Sequence, residues 1–201
     1  MRASTLLILF SFFQVLFCAL EGLSLSKIQE IYGKSLPYMK AFKPESINIP
    51  SSFRFKNLKF NYVDLSNNNA NFTFDEFNVL HVKFVDLKAK MTGQYKAGSW
   101  IKVGNTYNFE ANFTNITYEQ SFNVITNKQA DGKYAFKYKK IGAGEVKFQV
   151  NPNFTTDFAR KDFYTTTLKS NIKNLNYKEF TSHLDKLQTL LLDNVANELL
   201  K

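Results

Sequence analysis

The 201-residue chain contains one cysteine, Cys18, and two histidines, His81 and His183. Cys18 lies in an N-terminal apolar run, so a chain that loses this run would have no disulfide, thiol nucleophile or thiolate metal site. Neither histidine has a neighbour at metal-ligand spacing, and the sequence contains no GxSxG, HExxH or phosphate-binding glycine motif. We therefore expect a protein that is not an enzyme and that has no metal or cofactor.

The N-terminus has the pattern of a secretory signal peptide. Met1 and Arg2 form a basic head, the apolar run LLILFSFFQVLFCAL follows, and Glu21 ends it. The run is short for the ~20 apolar residues that span a bilayer. We predict a signal peptide over residues 1–20 and a protein in the extracellular space or the secretory lumen. Four glycosylation sequons agree with this location: Asn71, Asn112, Asn115 and Asn153.

The net charge of +9 favours an anionic partner such as phospholipid, an acidic glycan or nucleic acid. The alternative is that the lysines only keep a secreted protein soluble. Nucleic acid does not fit the strands, because Phe136 and Tyr138 alternate with Lys137 and Lys139 and so lie on the opposite face. Stacking of bases needs rings and cations on one surface. No nucleic-acid partner is predicted.

Helical periodicity occurs at both ends of the chain. From Leu23 to about Ala41 apolar residues recur every three or four positions, with Ser26 and Gln29 as a capping box, and Pro37 is expected to kink or break the last turns. From Asn176 to Leu200 a second apolar stripe follows a capping box of Asn176 and Glu179. Two amphipathic helices are therefore predicted.

The region from about Phe53 to Val150 alternates with period two, which predicts strands. Each run is close to twenty residues and changes parity, near Asn57 for example and at the Gly142 and Gly144 pair, so the strands should be bulged and bent. The polar segment SNNNAN, residues 66–71, is predicted as a hairpin loop. The fold class is α+β, with four or five long antiparallel strands in a highly curved sheet wrapped around an N-terminal helix and a long C-terminal helix.

Three segments, INIPSSFRFKNLKFNYVDL, FNVLHVKFVDLKAKMTGQYKA and GNTYNFEANFTNITYEQSFNVITN, carry a family resemblance. Their pattern and order resemble the amino-terminal domain of bactericidal/permeability-increasing protein and lipopolysaccharide-binding protein, in the tubular lipid-binding (TULIP) superfamily. The resemblance covers residues 23–201 and implies a half-barrel that transports lipid, with a role in innate immunity. Its partners would be phospholipid, lipopolysaccharide or another acyl lipid.

The resemblance implies that acyl chains enter an apolar groove between helices and sheet. The residues that would line it are Ile28, Ile31, Leu36, Val82, Phe84, Phe109, Phe113, Phe136, Phe148, Leu184, Leu187 and Leu191. For each of them, ordinary core packing is the alternative role.

The only tryptophan, Trp100, lies between lysines in LKAKMTGQYKAGSWIKVG. The resemblance places a membrane-docking tip here and at the start of the first strand, comprising Lys43, Arg54, Lys56, Lys88, Lys90, Lys96, Trp100 and Lys102. An indole prefers the bilayer interface and the cations would contact phosphates, so this tip should dock transiently on anionic membranes. The alternative is that Trp100 caps the core and the lysines are only solvated.

The chain departs from the family in two respects. It lacks the disulfide of the vertebrate members and the cysteine pair of the insect hormone carriers. We also expect one domain, as in the single-domain carriers and mite allergens, whereas the bactericidal proteins have two. Both departures weaken the expectation of bactericidal activity more than that of lipid binding. Two other functions stay open: a carrier of a soluble hydrophobic signal such as a terpenoid, and a surface interaction protein with a filled core.

Overall fold

The structure, a computed structural model, describes residues 22–41, 47–49, 54–64, 69–97, 104–175 and 177–201. The helices within these residues are α1 (Leu25–Ala41), α2 (Lys161–Lys173) and α3 (Lys178–Leu199). The strands are β1 (Ile47–Ile49), β2 (Phe55–Asp64), β3 (Asn69–Phe74), β4 (Val79–Lys96), β5 (Thr106–Lys128) and β6 (Tyr134–Phe154). The predicted signal peptide, residues 1–20, lies outside the described residues. The α+β class with a strongly curled antiparallel sheet is confirmed.

The strands form one sheet in the order β1-β2-β4-β5-β6, and β3 pairs with β4 as well. β2 pairs with the end of β4 near Tyr95, and β3 pairs with its beginning near Leu80. Because both strands run antiparallel to β4, they share one direction and cannot form a hairpin with each other. The predicted hairpin loop over residues 66–71 is therefore wrong, since residues 69–71 are the start of β3. With β1 and β3 the sheet has six strands rather than four or five.

The predicted changes of parity are confirmed as bulges. The backbone has positive φ at Asn57 (52°), Asp86 (56°) and Asn115 (50°), and the strand register shifts beside each of them. Asparagine and aspartate tolerate this left-handed conformation better than other residues with a side chain. Gly142 in β6 also has a positive φ, of 64°. Each bulge bends its strand and increases the twist, and this curls the sheet.

The helix boundaries differ from those predicted. The Ser24 hydroxyl accepts a hydrogen bond of 3.2 Å from the Lys27 amide, so Ser24 caps α1, and the predicted box with Ser26 is wrong. Pro37 does not end α1, because it is exposed and solvent can replace the missing hydrogen bond. The N-cap of α3 is Tyr177, without a side-chain hydrogen bond, and Asn176 of the predicted capping box lies outside the described residues.

Helices α1 and α3 pack against each other and against the inner face of the sheet. Asn194 of α3 donates to the Ser35 hydroxyl of α1 at 3.1 Å. Lys34 of α1 forms an ion pair with Glu30 on the outer side. The space between this helix pair and the sheet is the apolar interior, in which the buried hydrophobic side chains form one cluster.

Candidate functional site

All the residues predicted to line a lipid groove meet in the apolar interior. Ten of the twelve are buried, and Leu36 and Phe148 are partly buried against the same cluster. In α3 the spacing of Leu184, Leu187 and Leu191 places all three on the face toward the sheet. The interior is thus a continuous apolar region bounded by two helices and the curled sheet.

Aromatic rings fill the part of the interior where α3 begins. Phe60 stacks on Phe180 with ring centroids 4.6 Å apart and meets Phe113 edge-on at 5.1 Å. Phe113 and Phe148 are separated by 5.1 Å, and Phe148 meets Tyr177 at 5.0 Å. Such contacts close the interior at this end with large, rigid apolar groups.

Two glutamines bring polar atoms into the interior. Gln188 of α3 is 0% exposed and Gln120 of β5 is 2% exposed, and Gln120 lies directly opposite Val82 in the sheet. Gln188 donates to the Val82 carbonyl at 2.9 Å, and Gln120 donates to the Ile141 carbonyl at 2.7 Å. Within the described residues the Oε1 atom of each has no hydrogen-bond partner. A buried acceptor without a partner lowers the stability of the fold. Each of these two amide oxygens can accept a hydrogen bond from a hydroxyl group.

Polar contacts hold α3 to the sheet. The Asp185 carboxylate accepts a hydrogen bond from the Tyr118 hydroxyl and forms an ion pair with Lys140. Nearer the end of α3, the Tyr138 hydroxyl donates a hydrogen bond of 2.5 Å to the Asp193 carboxylate. Burial, and then the Asp185 carboxylate, raise the pKa of Tyr118 well above its ordinary value. The phenol therefore stays a donor, and α3 stays fixed over the interior.

His183 of α3 is buried, and burial lowers the pKa of its imidazole, with a smaller contribution from Lys186. Across the described residues no group of three or more His, Cys, Asp or Glu side chains could hold a metal ion. None of the helices among these residues is long and apolar enough to cross a membrane.

Three of the residues predicted for the docking tip meet at one end of the sheet, which we call the basic end: Arg54, Lys56 and Lys96. The Lys96 amide donates to the Arg54 carbonyl at 2.9 Å, and the Arg54 guanidinium donates to the Tyr95 hydroxyl at 3.3 Å. Lys56 lies opposite Gln94 on the neighbouring strand. Lys43, Trp100 and Lys102 lie outside the described residues.

Lys88 and Lys90 are not brought to the basic end. They precede Lys96 by eight and six residues along β4, which is roughly 26 and 20 Å at the rise of an extended strand. Lys90 also forms an ion pair of 2.7 Å with Glu110. These two lysines lie on the side of the sheet rather than at its end.

Helix α2, which the periodicity of the sequence did not predict, adds an exposed aromatic residue near the basic end. The segment leading into it is held there by the Thr155 amide, which donates to the Asn108 carbonyl, and by Phe158, whose ring stacks on Tyr107 at 3.8 Å. Phe163 meets Tyr164 edge-on at 5.1 Å and is itself 74% exposed.

The four predicted glycosylation sites are exposed positions on strands. Asn71 lies on β3, Asn112 and Asn115 on β5, and Asn153 on β6. Their side chains are accessible, and their modification stays a prediction.

No family model matches the chain. No curated protein matches it in sequence. Similar solved structures include a lipopolysaccharide binding protein, with 9% identity and a TM-score of 0.42 over 91% of this chain and 39% of that one. Takeout 1 of Epiphyas postvittana has 17% identity and a TM-score of 0.45 over 86% of this chain and 90% of that one. Mmm1 has 10% identity and a TM-score of 0.27 over 84% of this chain and 75% of that one.

The chain spans less than half of the lipopolysaccharide binding protein that it resembles. Similarities at these identities and TM-scores do not assign the chain to a family. What the structure establishes is the class of architecture, an α+β protein with an apolar interior between two helices and a curled sheet.

Proposed function

We propose that residues 23–201 form a secreted lipid-binding or lipid-transfer protein that holds acyl chains in its apolar interior. One observation supports this proposal: all twelve residues predicted to contact lipid belong to a single apolar cluster between α1, α3 and the sheet. Each methylene group moved from water into such a region contributes about 0.8 kcal/mol, so an acyl chain could bind there without any charged contact.

The two glutamine oxygens offer a point of orientation within that region. Gln120 and Gln188 lie close to Val82 and keep unused acceptors in otherwise apolar surroundings. A lipid with a hydroxyl group could satisfy one of them, whereas a plain hydrocarbon could not. The proposed ligands are therefore acyl lipids such as phospholipid or lipopolysaccharide, with a hydroxyl donor favoured over a chain without one.

The basic end is the proposed site of docking on anionic membranes, together with Lys43, Trp100 and Lys102. The exposed side chain of Phe163 near it supports this assignment, because an apolar side chain can enter the headgroup region beside the cations. Substituting Lys96, Trp100 and Lys102 together by Gln, Ser and Gln should weaken binding to anionic vesicles without unfolding the protein. Salt should weaken it too, since it screens surface charge. Unchanged vesicle binding would contradict the tip assignment.

Native mass spectrometry of the secreted protein tests the lipid-binding function, with organic extraction of anything that co-purifies. We expect an acyl lipid at close to one molecule per chain, and the extract would identify its class. A protein that carries nothing, and that still carries nothing after incubation with mixed lipids, would contradict the proposal.

A surface interaction protein with a filled core is the second candidate. The aromatic cluster around Phe60, Phe113 and Phe180 favours it, because it shows that part of the interior is already densely packed. Absence of bound lipid in the native mass spectrum would make this the better account.

A further inference from the structure

A second surface lies at the end of the sheet opposite the basic end. Strand β4 begins beside the β3–β4 turn and ends beside Arg54, so its 18 residues separate the two ends by a path of roughly 60 Å. At the β3–β4 turn an open concavity of about 640 Å³ crosses the outer side of the sheet. We call it the outer groove, and its lining includes Phe77, Asn78, Asn123, Ile125, Lys137 and Lys139.

The lining of the outer groove comes from three segments, the β3–β4 turn, β5 and β6, and the strand register brings them together. Val79, just after the turn, pairs with Asn123 of β5, and Asn123 pairs with Lys139 of β6. Ile125 pairs in turn with Lys137. Residues opposite each other in neighbouring strands point to the same face of a sheet. An apolar side chain of β5 and two lysines of β6 therefore lie side by side next to the turn.

The groove exposes two large apolar side chains, Phe77 at 77% and Ile125 at 56%. Single exposed apolar residues are ordinary on protein surfaces. Two exposed apolar side chains that line one concavity form a patch, and covering this patch with apolar groups is energetically favourable. The patch is separate from the apolar interior, since Ile125 alternates with the inward-facing Val124 and Thr126.

The position of Phe77 is fixed by its turn. One carboxylate oxygen of Asp75 accepts hydrogen bonds from the amides of Phe77, at 2.9 Å, and Val79, at 2.8 Å. The Asp75 carbonyl accepts a third, from Asn78, at 3.1 Å. Phe77 is therefore presented outward by an ordered turn, so the backbone there loses little conformational freedom when a partner covers it.

The charge of the outer groove is positive. Its lining contains Lys137 and Lys139 and no carboxylate. Within the part of the chain that the structure describes, neither lysine belongs to an ion pair. Outside the lining, the acidic residues Asp75, Glu76 and Asp131 are accompanied by Lys128 and Lys133, and the Asp75 carboxylate is already engaged by the amides of its own turn and by His81. The two groove lysines thus remain available to an anionic partner.

We propose that the outer groove docks on the surface of an anionic phospholipid bilayer. Phe77 and Ile125 enter the boundary between headgroups and acyl chains, while Lys137 and Lys139 contact phosphate and carboxylate groups of the lipids. Apolar insertion and electrostatic attraction act together at such a boundary, and each lysine near an anionic membrane strengthens binding on the order of fivefold. This docking does not depend on a lipid in the interior.

The test uses the full chain with Lys96→Gln, Trp100→Ser and Lys102→Gln already in place, so that the predicted tip contributes less to binding. Binding is measured by co-sedimentation with phosphatidylcholine vesicles with and without phosphatidylserine. Phe77→Ser with Ile125→Ser should weaken binding to the anionic vesicles on the order of tenfold, and Lys137→Gln with Lys139→Gln on the order of 25-fold.

Matched controls lie on α1 and α2. Tyr38→Ser in α1 removes an aromatic side chain of similar exposure, and Lys169→Gln with Lys173→Gln in α2 removes two exposed charges elsewhere. Both controls should bind as the parent does, and all variants should keep the thermal unfolding midpoint of the parent. The proposal is overturned if the groove variants bind as tightly as the controls, if the parent binds neither kind of vesicle, or if phosphatidylserine makes no difference. Lipid content, measured on the same samples by native mass spectrometry, reports separately on the interior.

Discussion

The side-chain amide of Gln188 donates a 2.9 Å hydrogen bond to the backbone carbonyl of Val82, and both residues are 0% exposed. This contact joins the middle of α3 to the beginning of β4 across the apolar interior. It satisfies the amide nitrogen and leaves the amide oxygen as an acceptor among apolar groups. The polar chemistry of the interior therefore depends on a side chain that also positions the helix.

Gln188→Met should remove this acceptor with little change of shape. We expect the free energy of unfolding to change by less than about 1.5 kcal/mol, because one net hydrogen bond is lost and one buried polar atom without a partner is removed. The proposed selectivity for a hydroxyl should fall, as measured by competition between a fatty alcohol and its methyl ether of equal chain length. Leu187→Met is the control. An unchanged preference for the alcohol would contradict the role given to the Gln188 oxygen.

Gly144 and Gly33 should respond in opposite ways to alanine. A Cβ at Gly144 would lie 2.5 Å from Cε2 of Tyr118, so Gly144→Ala must displace the ring that donates to Asp185. We expect a loss of about 1–3 kcal/mol in the free energy of unfolding. Gly33 lies in α1 with nothing within 4 Å of its added Cβ, so alanine there should stabilise by about 0.5–1 kcal/mol. Urea unfolding of the two variants measures both effects, and equal effects would contradict the close packing of Tyr118.

Stability should fall as the pH drops below 6.5, the ordinary pKa of histidine. Burial lowers the pKa of His183 in the folded protein, so the unfolded chain binds more protons in this range and acidification favours it. The contribution of the neutral His183 side chain to the free energy of unfolding is therefore present above pH 6.5 and declines below it. In the His183→Gln variant, the free energy of unfolding should fall less between pH 7 and pH 5 than in the parent, as measured by urea unfolding at each pH. A pH dependence identical to that of the parent would contradict the role given to His183.

The sheet could be predicted because alternation of polar and apolar residues determines which face of a strand is buried. The changes of parity at Asn57 and Asp86 are the bulges themselves, because an extra residue shifts the alternation by one. Position along a strand is harder to predict. Lys88, Lys90 and Lys96 share one parity, yet only Lys96 is at the end of its strand.

Helix α2 was missed because its sequence has little helical signal. It contains three consecutive threonines at residues 165–167, which have low helix propensity, and it exposes Phe163 while burying only Leu168 and Ile172. The outer groove was missed for another reason. Its lining comes from three segments that only the strand register brings together, so no local pattern marks it.

Photo-crosslinking with a fatty acid that carries a diazirine near the end of its chain tests the central claim most directly. The protein is loaded, irradiated and digested, and mass spectrometry locates the modified residues. We expect labelling of inward-facing residues of α1, α3 and β4, such as Ile31, Leu187 and Val82, and the loss of this labelling when excess unlabelled lipid is added. Labelling confined to exposed residues such as Phe77 and Phe163, or no saturable labelling, would contradict an acyl-binding interior.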